Sequence, residues 1–274
     1  MTTTALPAAI PTDARVTGPR VVRAEWIKFR SLRSSLIMLA ATVVVFAALG
    51  LGFSAFLADA TIEPGTPAPP GGPSSLDPLG ASLGGVNLAQ LLIGTLGVLL
   101  AAGEYSTGMI RSSLAAVPRR WPVLAGKVTV LAGVSLAVLV PTVLLTFLGG
   151  QAVLGDKGIS LGDDGVLRAV LGAAGYLTGV GVLGLALGSL LRNTAGALTS
   201  VVALLLVVPG VVSLVPESWS EAVSPYLPSN AGQAVMTVGA HPDLLSPGAG
   251  AAVLLAWLVA LVGGAVVLLR RRDA

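Results

Sequence analysis

Six long runs of apolar residues divide the chain, and stretches richer in charge, Pro and Gly separate them. Each run is close to the roughly 20 residues that a helix needs to cross the core of a bilayer. None of the runs contains Asp, Glu, Lys, Arg or His. We therefore predict an all-α polytopic membrane protein with one six-span transmembrane domain over residues 36–269. The predicted spans are residues 36–57, 86–102, 128–150, 169–191, 194–215 and 249–269.

A basic segment, residues 20–35, precedes the first span. Val22, Trp26, Phe29 and Leu32 recur in it at helical spacing, and most of its cations fall elsewhere. This pattern predicts an amphipathic helix at the membrane surface, with the indole at headgroup depth and the cations near anionic lipid. A plain basic flank to the first span is the alternative. The candidate interfacial residues are Trp26, Lys28, Phe29, Arg30 and Arg33.

The segments outside the spans are short. Residues 1–19 are rich in Thr, Ala and Pro and predict a disordered cytoplasmic tail, and residues 270–274 form a basic tail. Residues 59–85 carry a run of Pro and Gly and predict a flexible external loop. Residues 216–248 predict a longer external stretch, which contains a short amphipathic helix near residues 230–238.

The distribution of cations predicts the orientation. With the N-terminus inside, fourteen of the sixteen Lys and Arg residues lie inside, and only Lys157 and Arg168 lie outside. Because cytoplasmic loops are enriched in Lys and Arg, both termini are predicted to be cytoplasmic. The expected location is the plasma membrane, as a multi-pass protein.

Composition excludes several kinds of site. Only 11% of the 274 residues are charged, against about 25% in soluble proteins. The chain has no Cys and one His, which excludes thiol catalysis and metal sites built from Cys or from several His residues. Gly126 and Lys127 are followed by Val128, so the chain has no phosphate-binding P-loop. We expect no catalytic residues, no metal ligands and no nucleic-acid partner, and any energy for uphill transport must come from another polypeptide.

The most polar segment between spans is residues 103–127. It contains all the charged residues between Asp77 and Asp156, namely Glu104, Arg111, Arg119, Arg120 and Lys127. This density predicts a cytoplasmic loop folded into short helices that a partner protein grips, with Glu104 at the start of the loop helix. A solvated linker that only fixes orientation is the alternative. The candidate docking residues are Glu104, Gly108, Arg111, Pro118, Arg119 and Arg120.

Small and polar residues in the spans predict how the helices pack. The fourth span carries two GxxxG pairs, Gly175 with Gly179 and Gly184 with Gly188, which let helices approach closely on two faces. We therefore expect this span in the middle of the bundle. The amides of Asn87 and Gln90 are expected to bond across helices or to line a cavity.

Three stretches of the chain resemble ABC-2 type transporter permeases. Residues 103–127, GEYSTGMIRSSLAAVPRRWPVLAGK, resemble their cytoplasmic loop. Residues 24–35 are similar to the N-terminal interfacial helix of actinobacterial members, and residues 227–235 to the segment before their last span. The matching loop positions are Glu104, Gly108, Leu114, Pro118, Arg119, Gly126 and Lys127.

This resemblance implies an export permease subunit that pairs with a second permease chain, identical or different. Separate ATPase subunits, which bind ATP and Mg themselves, would dock on the loop and push on its helix. The short external segments depart from members with large extracellular domains and leave the substrate open. The alternative function is a non-transporting membrane scaffold or accessory protein that recruits a soluble partner through the same loop.

Overall fold

Among the residues that the computed structural model describes, six helices are long and apolar enough to cross a membrane, and a short helix precedes the first. The predicted all-α, six-span fold is confirmed. The structure describes residues 17–59, 77–106, 108–110, 117, 119–239, 241 and 243–271. Most of the predicted N-terminal tail, part of the 59–85 loop, the last three residues, and the loop residues Arg111 and Pro118 lie outside this description.

Ten helices are named here in chain order. The spanning helices are α2, α4, α5, α6, α7 and α10, and α7 contains a π-helical turn at Ala203–Val207. The bounds are α1 Gly18–Ser31, α2 Arg33–Asp59, α3 Pro78–Leu83, α4 Val86–Ser106, α5 Trp121–Leu154, α6 Val166–Leu191, α7 Thr194–Val212, α8 Glu217–Val223, α9 Pro228–Met236 and α10 Pro247–Arg271.

The two ends of the bundle differ in charge. Consecutive spans run in opposite directions, so α2, α5 and α7 begin, and α4, α6 and α10 finish, at one end. We call this the basic end, since it carries Lys28, Lys127, Arg192 and Arg270. The opposite end, here the acidic end, carries Asp77, Asp156, Asp163 and Asp164.

Helix α6 lies at the centre of the bundle and contacts α4, α5, α7, α9 and α10. A methyl group on Gly184 would collide with the carbonyl of Gly94, and one on Gly97 would collide with the carbonyl of Gly181. The α4 and α6 backbones therefore touch along a stripe of glycines, the close approach that small residues permit between membrane helices. Gly188 continues the stripe, with the Val98 carbonyl 3.0 Å from where its Cβ would lie.

The Gly175–Gly179 pair of α6 packs less closely than the Gly184–Gly188 pair. A Cβ on Gly179 would make ordinary 3.5 Å contacts with Leu254 and Leu258 of α10, and one on Gly175 would meet nothing within 4 Å. Helix α6 therefore approaches its neighbours more closely at Gly184 and Gly188 than at Gly175 and Gly179.

The predicted flexible loop before α4 contains a short, well-anchored helix. Asp77 caps α3 by accepting a hydrogen bond from the Gly80 N–H, and Pro78 occupies its first turn. The side-chain amide of Gln151 in α5 donates to the Pro78 carbonyl at 3.0 Å and to Ser82 Oγ at 2.9 Å. The Asp-Pro pair is a helix-start signal that the surrounding Pro and Gly residues obscured.

The short helix predicted near residues 230–238 is present as α9, but it does not lie free in a loop, because it packs along the side of α6. The Arg168 guanidinium donates to the carbonyls of Val235 and Thr237, both at 2.8 Å. Deeper in the bundle, the Tyr176 ring occupies the space that a side chain at Gly232 would need. Residue numbers rise along α6 as they fall along α9, so α9 runs antiparallel to α6 and its N-terminus points into the bundle.

Candidate functional site

Helix α1 is a separate helix, not an extension of the first span. Leu32 adopts an extended conformation (φ −85°, ψ 107°), which breaks the helical path between α1 and α2. The buried face of α1 is Val21, Glu25 and Phe29, spaced four residues apart. The predicted apolar face is therefore displaced by one position, and Trp26 is exposed and stacks on Phe29.

Four charged side chains meet where α1, α4 and α5 come together at the basic end. We call them the ion cluster: Glu25, Lys28, Glu104 and Lys127. Lys127 Nζ donates to Glu25 Oε2 at 2.9 Å and to Glu104 Oε1 at 2.6 Å. Lys28 Nζ donates to Glu25 Oε1 at 2.9 Å and to Glu104 Oε1 at 3.0 Å. Each ammonium bridges both carboxylates, so the cluster is neutral overall and joins three helices.

The ion cluster is largely removed from water. Glu25, Glu104 and Lys127 are buried, and Lys28 keeps 26% of its side chain exposed. Burial lowers the pKa of Lys28, but the hydrogen bonds and negative charges of Glu25 and Glu104 outweigh burial, so that its pKa is raised. Buried ion pairs add little net stability, but removing one partner is costly. The cluster therefore fixes where α1 sits on the bundle.

Gly126 and Lys127 act together in docking α1. A Cβ on Gly126 would lie 3.1 Å from Val21 Cγ1 and 3.3 Å from Glu25 Cγ, tighter than ordinary contact. The missing side chain lets α1 approach α5, and the next residue supplies the cation that neutralises Glu25. This gives the Gly-Lys pair at the end of the loop a physical role.

Apolar contacts fasten the described part of the loop to α1. Val21, Ile110, Val117 and Val123 form a small buried cluster, against which Tyr105 packs. Tyr105 also contacts Arg192, whose guanidinium carbon lies 5.3 Å from the centre of the Tyr105 ring. Such a cation–π contact ties the turn after α6 to the last turn of α4.

The predicted docking residues fall into separate environments. Glu104 does not begin a loop helix: it lies in the last turn of α4 and is buried. That prediction is wrong because α4 continues past residue 102, where the apolar run stops, and Lys28 and Lys127 compensate the carboxylate. Gly108 (φ 73°) and Arg119 are exposed, and Arg120 (φ 55°) is half-buried.

The predicted interfacial residues are also divided. Trp26, Arg30 and Arg33 are exposed, Phe29 joins the main core, and Lys28 joins the ion cluster. Glu25 was not predicted as a site residue. Its signal was a single acid within a strongly basic segment, four residues from both Val21 and Phe29.

Polar residues also gather in the half of the bundle nearer the acidic end. The Tyr176 hydroxyl donates to Gln90 Oε1, which joins α6 to α4. Asn87 and Gln90 line a cavity of about 180 Å³ with Tyr176, α7 and α9. The prediction that these amides bond across helices or line a cavity is confirmed.

Comparison with known proteins adds no family to this picture. No family model matches the chain, and no curated protein is significantly similar to it.

Proposed function

We propose that this chain is the membrane-spanning subunit of an ABC-2 type exporter in the plasma membrane. In this proposal the basic end is cytoplasmic, a second permease chain completes the pathway, and separate ATPase subunits dock beside the 103–127 loop. The loop resemblance and the six candidate spans support it.

The observation that carries the proposal is the ion cluster at the two ends of the loop. Glu104 closes α4 before the loop, Lys127 lies in the second turn of α5 after it, and both bind α1. A force applied to α1 or to the loop therefore reaches two spans through buried contacts that are costly to break. An exporter driven by an external ATPase needs such a connection, whereas an orientation signal needs only exposed cations.

The docking surface that we propose consists of exposed residues beside this cluster. Gly108, Met109, Arg119 and Trp121 are exposed at the basic end. Arg111 and Pro118 lie outside the described residues, and they remain proposed contacts on the basis of the loop resemblance alone. Glu104 is withdrawn from it as a direct contact, since its carboxylate is buried against two lysines. Arg119 would face acidic or carbonyl acceptors on the ATPase.

The test is co-purification of an ATPase with the full-length chain from membranes of its own host. We expect the purified complex to hydrolyse ATP, and Arg119→Ala to lower both the amount of ATPase recovered and the hydrolysis. Losing a buried charged contact in an interface costs about 2–5 kcal/mol. Arg270→Ala is the matched control, because it removes an exposed cation at the same end of the bundle that belongs to neither the loop nor the proposed docking surface.

Two outcomes would count against the proposal. If no ATP-hydrolysing protein accompanies the wild-type chain, the exporter assignment fails. If the ATPase binds, vesicles of host membrane are tested for ATP-driven release of compounds. If no such release depends on this chain, the non-transporting scaffold replaces the exporter as the assigned function.

A further inference from the structure

The exposed side of α1 is positively charged. Residues 18–33 contain five cations and one acid, Glu25, which is buried in the ion cluster. Arg23, Arg30 and Arg33 are exposed. Among the described residues, none of these three guanidinium groups takes part in a hydrogen bond or an ion pair. The uncovered surface of α1 therefore carries unpaired cations, although the ion cluster behind it is neutral.

Two of these arginines flank Trp26 on one face of the helix. Arg23, Trp26 and Arg30 are spaced by three and four residues, so at about 100° per residue they fall within a stripe roughly 60° wide. Trp26 is 43% exposed and stacks on the buried ring of Phe29, with the ring centres 6.4 Å apart. This stacking fixes the indole between the two cations. We call these three residues the basic stripe.

Contacts with α5 set the depth of the basic stripe. Glu25, next to Trp26 in the chain, binds Lys127 at 2.9 Å, and Lys127 is the last charged residue before the uncharged part of α5. Phe29, one turn further along α1, lines a small cavity with Val130, about one turn deeper in α5. The basic stripe therefore lies where the apolar part of the bundle begins, which in a bilayer is the level of the lipid headgroups.

We propose that the basic stripe binds the headgroup of an anionic phospholipid. Arg23 and Arg30 donate to the phosphate oxygens, because a guanidinium presents paired N–H groups that match them. The indole of Trp26 lies among the headgroups, the position that this side chain prefers in membranes. Ile27 is 57% exposed beside the stripe and gives the lipid an apolar contact.

This arrangement differs from that of an ordinary amphipathic helix on a membrane. Such a helix turns its apolar face to the lipid, but in α1 that face packs on the bundle through Val21 and Phe29. The lipid instead meets the charged flank of the helix. Contacts with the bundle thus hold α1 in place, and the charges of the stripe are left to select the lipid.

Charge complementarity and position favour a lipid over a partner protein. The ion cluster and the spans hold the stripe at the level of the lipid phosphates, so it meets them without any second protein. Two arginines correspond to an up to about thirtyfold preference for anionic over neutral lipid, at about 1 kcal/mol for each basic residue near the surface. A zwitterionic lipid gains less, because its own ammonium group already compensates its phosphate.

The absence of cysteine from the chain permits a test with one reporter thiol. Ile27→Cys carries a bimane fluorophore on the full-length protein, in nanodiscs with equal amounts of phosphatidylglycerol and phosphatidylcholine. In parallel samples, a small fraction of one lipid or the other carries a nitroxide quencher at the top of an acyl chain. The ratio of the two quenching constants measures enrichment beside the stripe, and we expect phosphatidylglycerol to be enriched about five- to thirtyfold.

Two double variants in the reporter background separate the stripe from net charge. Arg23→Gln with Arg30→Gln should reduce the enrichment to less than about twofold, because both phosphate-binding groups are removed while the ion cluster stays intact. Arg270→Gln with Arg271→Gln is the matched control, since it removes two exposed arginines from α10 at the same end of the bundle. It should leave the enrichment within about twofold of the value for the reporter alone.

The occupant of the stripe is tested separately in host membranes. A photoreactive amino acid replaces Ile27 in the full-length chain, and the products of illumination are analysed by mass. We expect adducts with anionic phospholipid to dominate. A dominant adduct with a protein would overturn the proposal and assign this face of α1 to a partner.

Three results in nanodiscs would also overturn it. They are equal quenching by the two lipids in the reporter protein, unchanged enrichment after loss of Arg23 and Arg30, and an equal loss of enrichment in the α10 control. The comparison of the two lipids stands without any arginine variant, so a folding defect in a variant leaves the proposal testable. The nanodiscs contain neither ATP nor a second protein, so failure here is distinct from failure of the proposed function.

Discussion

Replacing Lys127 with Met should destabilise the protein far more than the same replacement at Lys28. Both ammonium groups bridge Glu25 and Glu104, at 2.6–3.0 Å. They differ in burial, since the side chain of Lys127 is 8% exposed and that of Lys28 is 26% exposed. Methionine keeps the length and apolar character of the lysine stem, so the comparison isolates the charge.

The magnitude follows from what each variant leaves behind. Lys127→Met leaves two buried carboxylates with one partly exposed cation, and breaking a buried pair in this way costs about 3–5 kcal/mol. Lys28→Met leaves the buried Lys127 bound to both carboxylates, and water reaches the vacated position. A partly exposed pair contributes about 1 kcal/mol or less. The two variants should therefore differ by roughly 2–4 kcal/mol in the free energy of unfolding.

Equilibrium unfolding in mixed micelles, followed by tryptophan fluorescence, measures this difference. Lys127→Met combined with Glu104→Gln restores neutrality, and should be more stable than Lys127→Met alone by at least about 1 kcal/mol. Equal effects of Lys127→Met and Lys28→Met, or no recovery in the double variant, would refute the reasoning from burial and charge balance.

Two further predictions concern helix packing and pH. Gly97→Ala should destabilise the α4–α6 contact by about 1–3 kcal/mol, as overpacking does, because its methyl would strike the Gly181 carbonyl. Gly133→Ala, with nothing within 4 Å, should be neutral or stabilising in the same unfolding assay, and equal losses would contradict the account. The raised pKa of Lys28 means that its contribution is complete below the ordinary value of 10.5 and is lost as pH rises through the raised value. The fluorescence of Trp26 on α1 should thus change only above pH 10.5, and this change should be absent in Lys28→Met; an identical transition in that variant would contradict the assignment.

The sequence predicts the six-span fold well, because uncharged apolar runs of about 20 residues are typical of transmembrane helices. It also indicates the glycine stripe, although 35 glycines in the chain make it impossible to tell Gly184 from Gly175 without a structure. Which glycine meets a backbone depends on helix rotation and depth, and periodicity alone does not set these.

The ion cluster is harder to predict from sequence. Glu25 and Lys127 are 102 residues apart. Glu25 is one acid in a basic segment and Lys127 is one cation directly before an apolar run, and both patterns are also typical of exposed residues. Charge counting places Glu104 in the loop, because the apolar run stops at residue 102. Helix α4 continues for about one further turn, to Ser106. The burial of α9 is likewise hidden, because its Pro, Ser and Asn residues are typical of external loops.

Cross-linking from the two ends of the bundle tests the central claim most directly. A photoreactive amino acid is placed at Met109, exposed at the basic end, or at Ser160, exposed at the acidic end, in the full-length chain in host membranes. The account predicts a cross-link from position 109 to a protein that binds and hydrolyses ATP, lost in the Arg119→Ala background, and no such cross-link from position 160. An ATPase cross-linked from position 160, or from neither position, would contradict it.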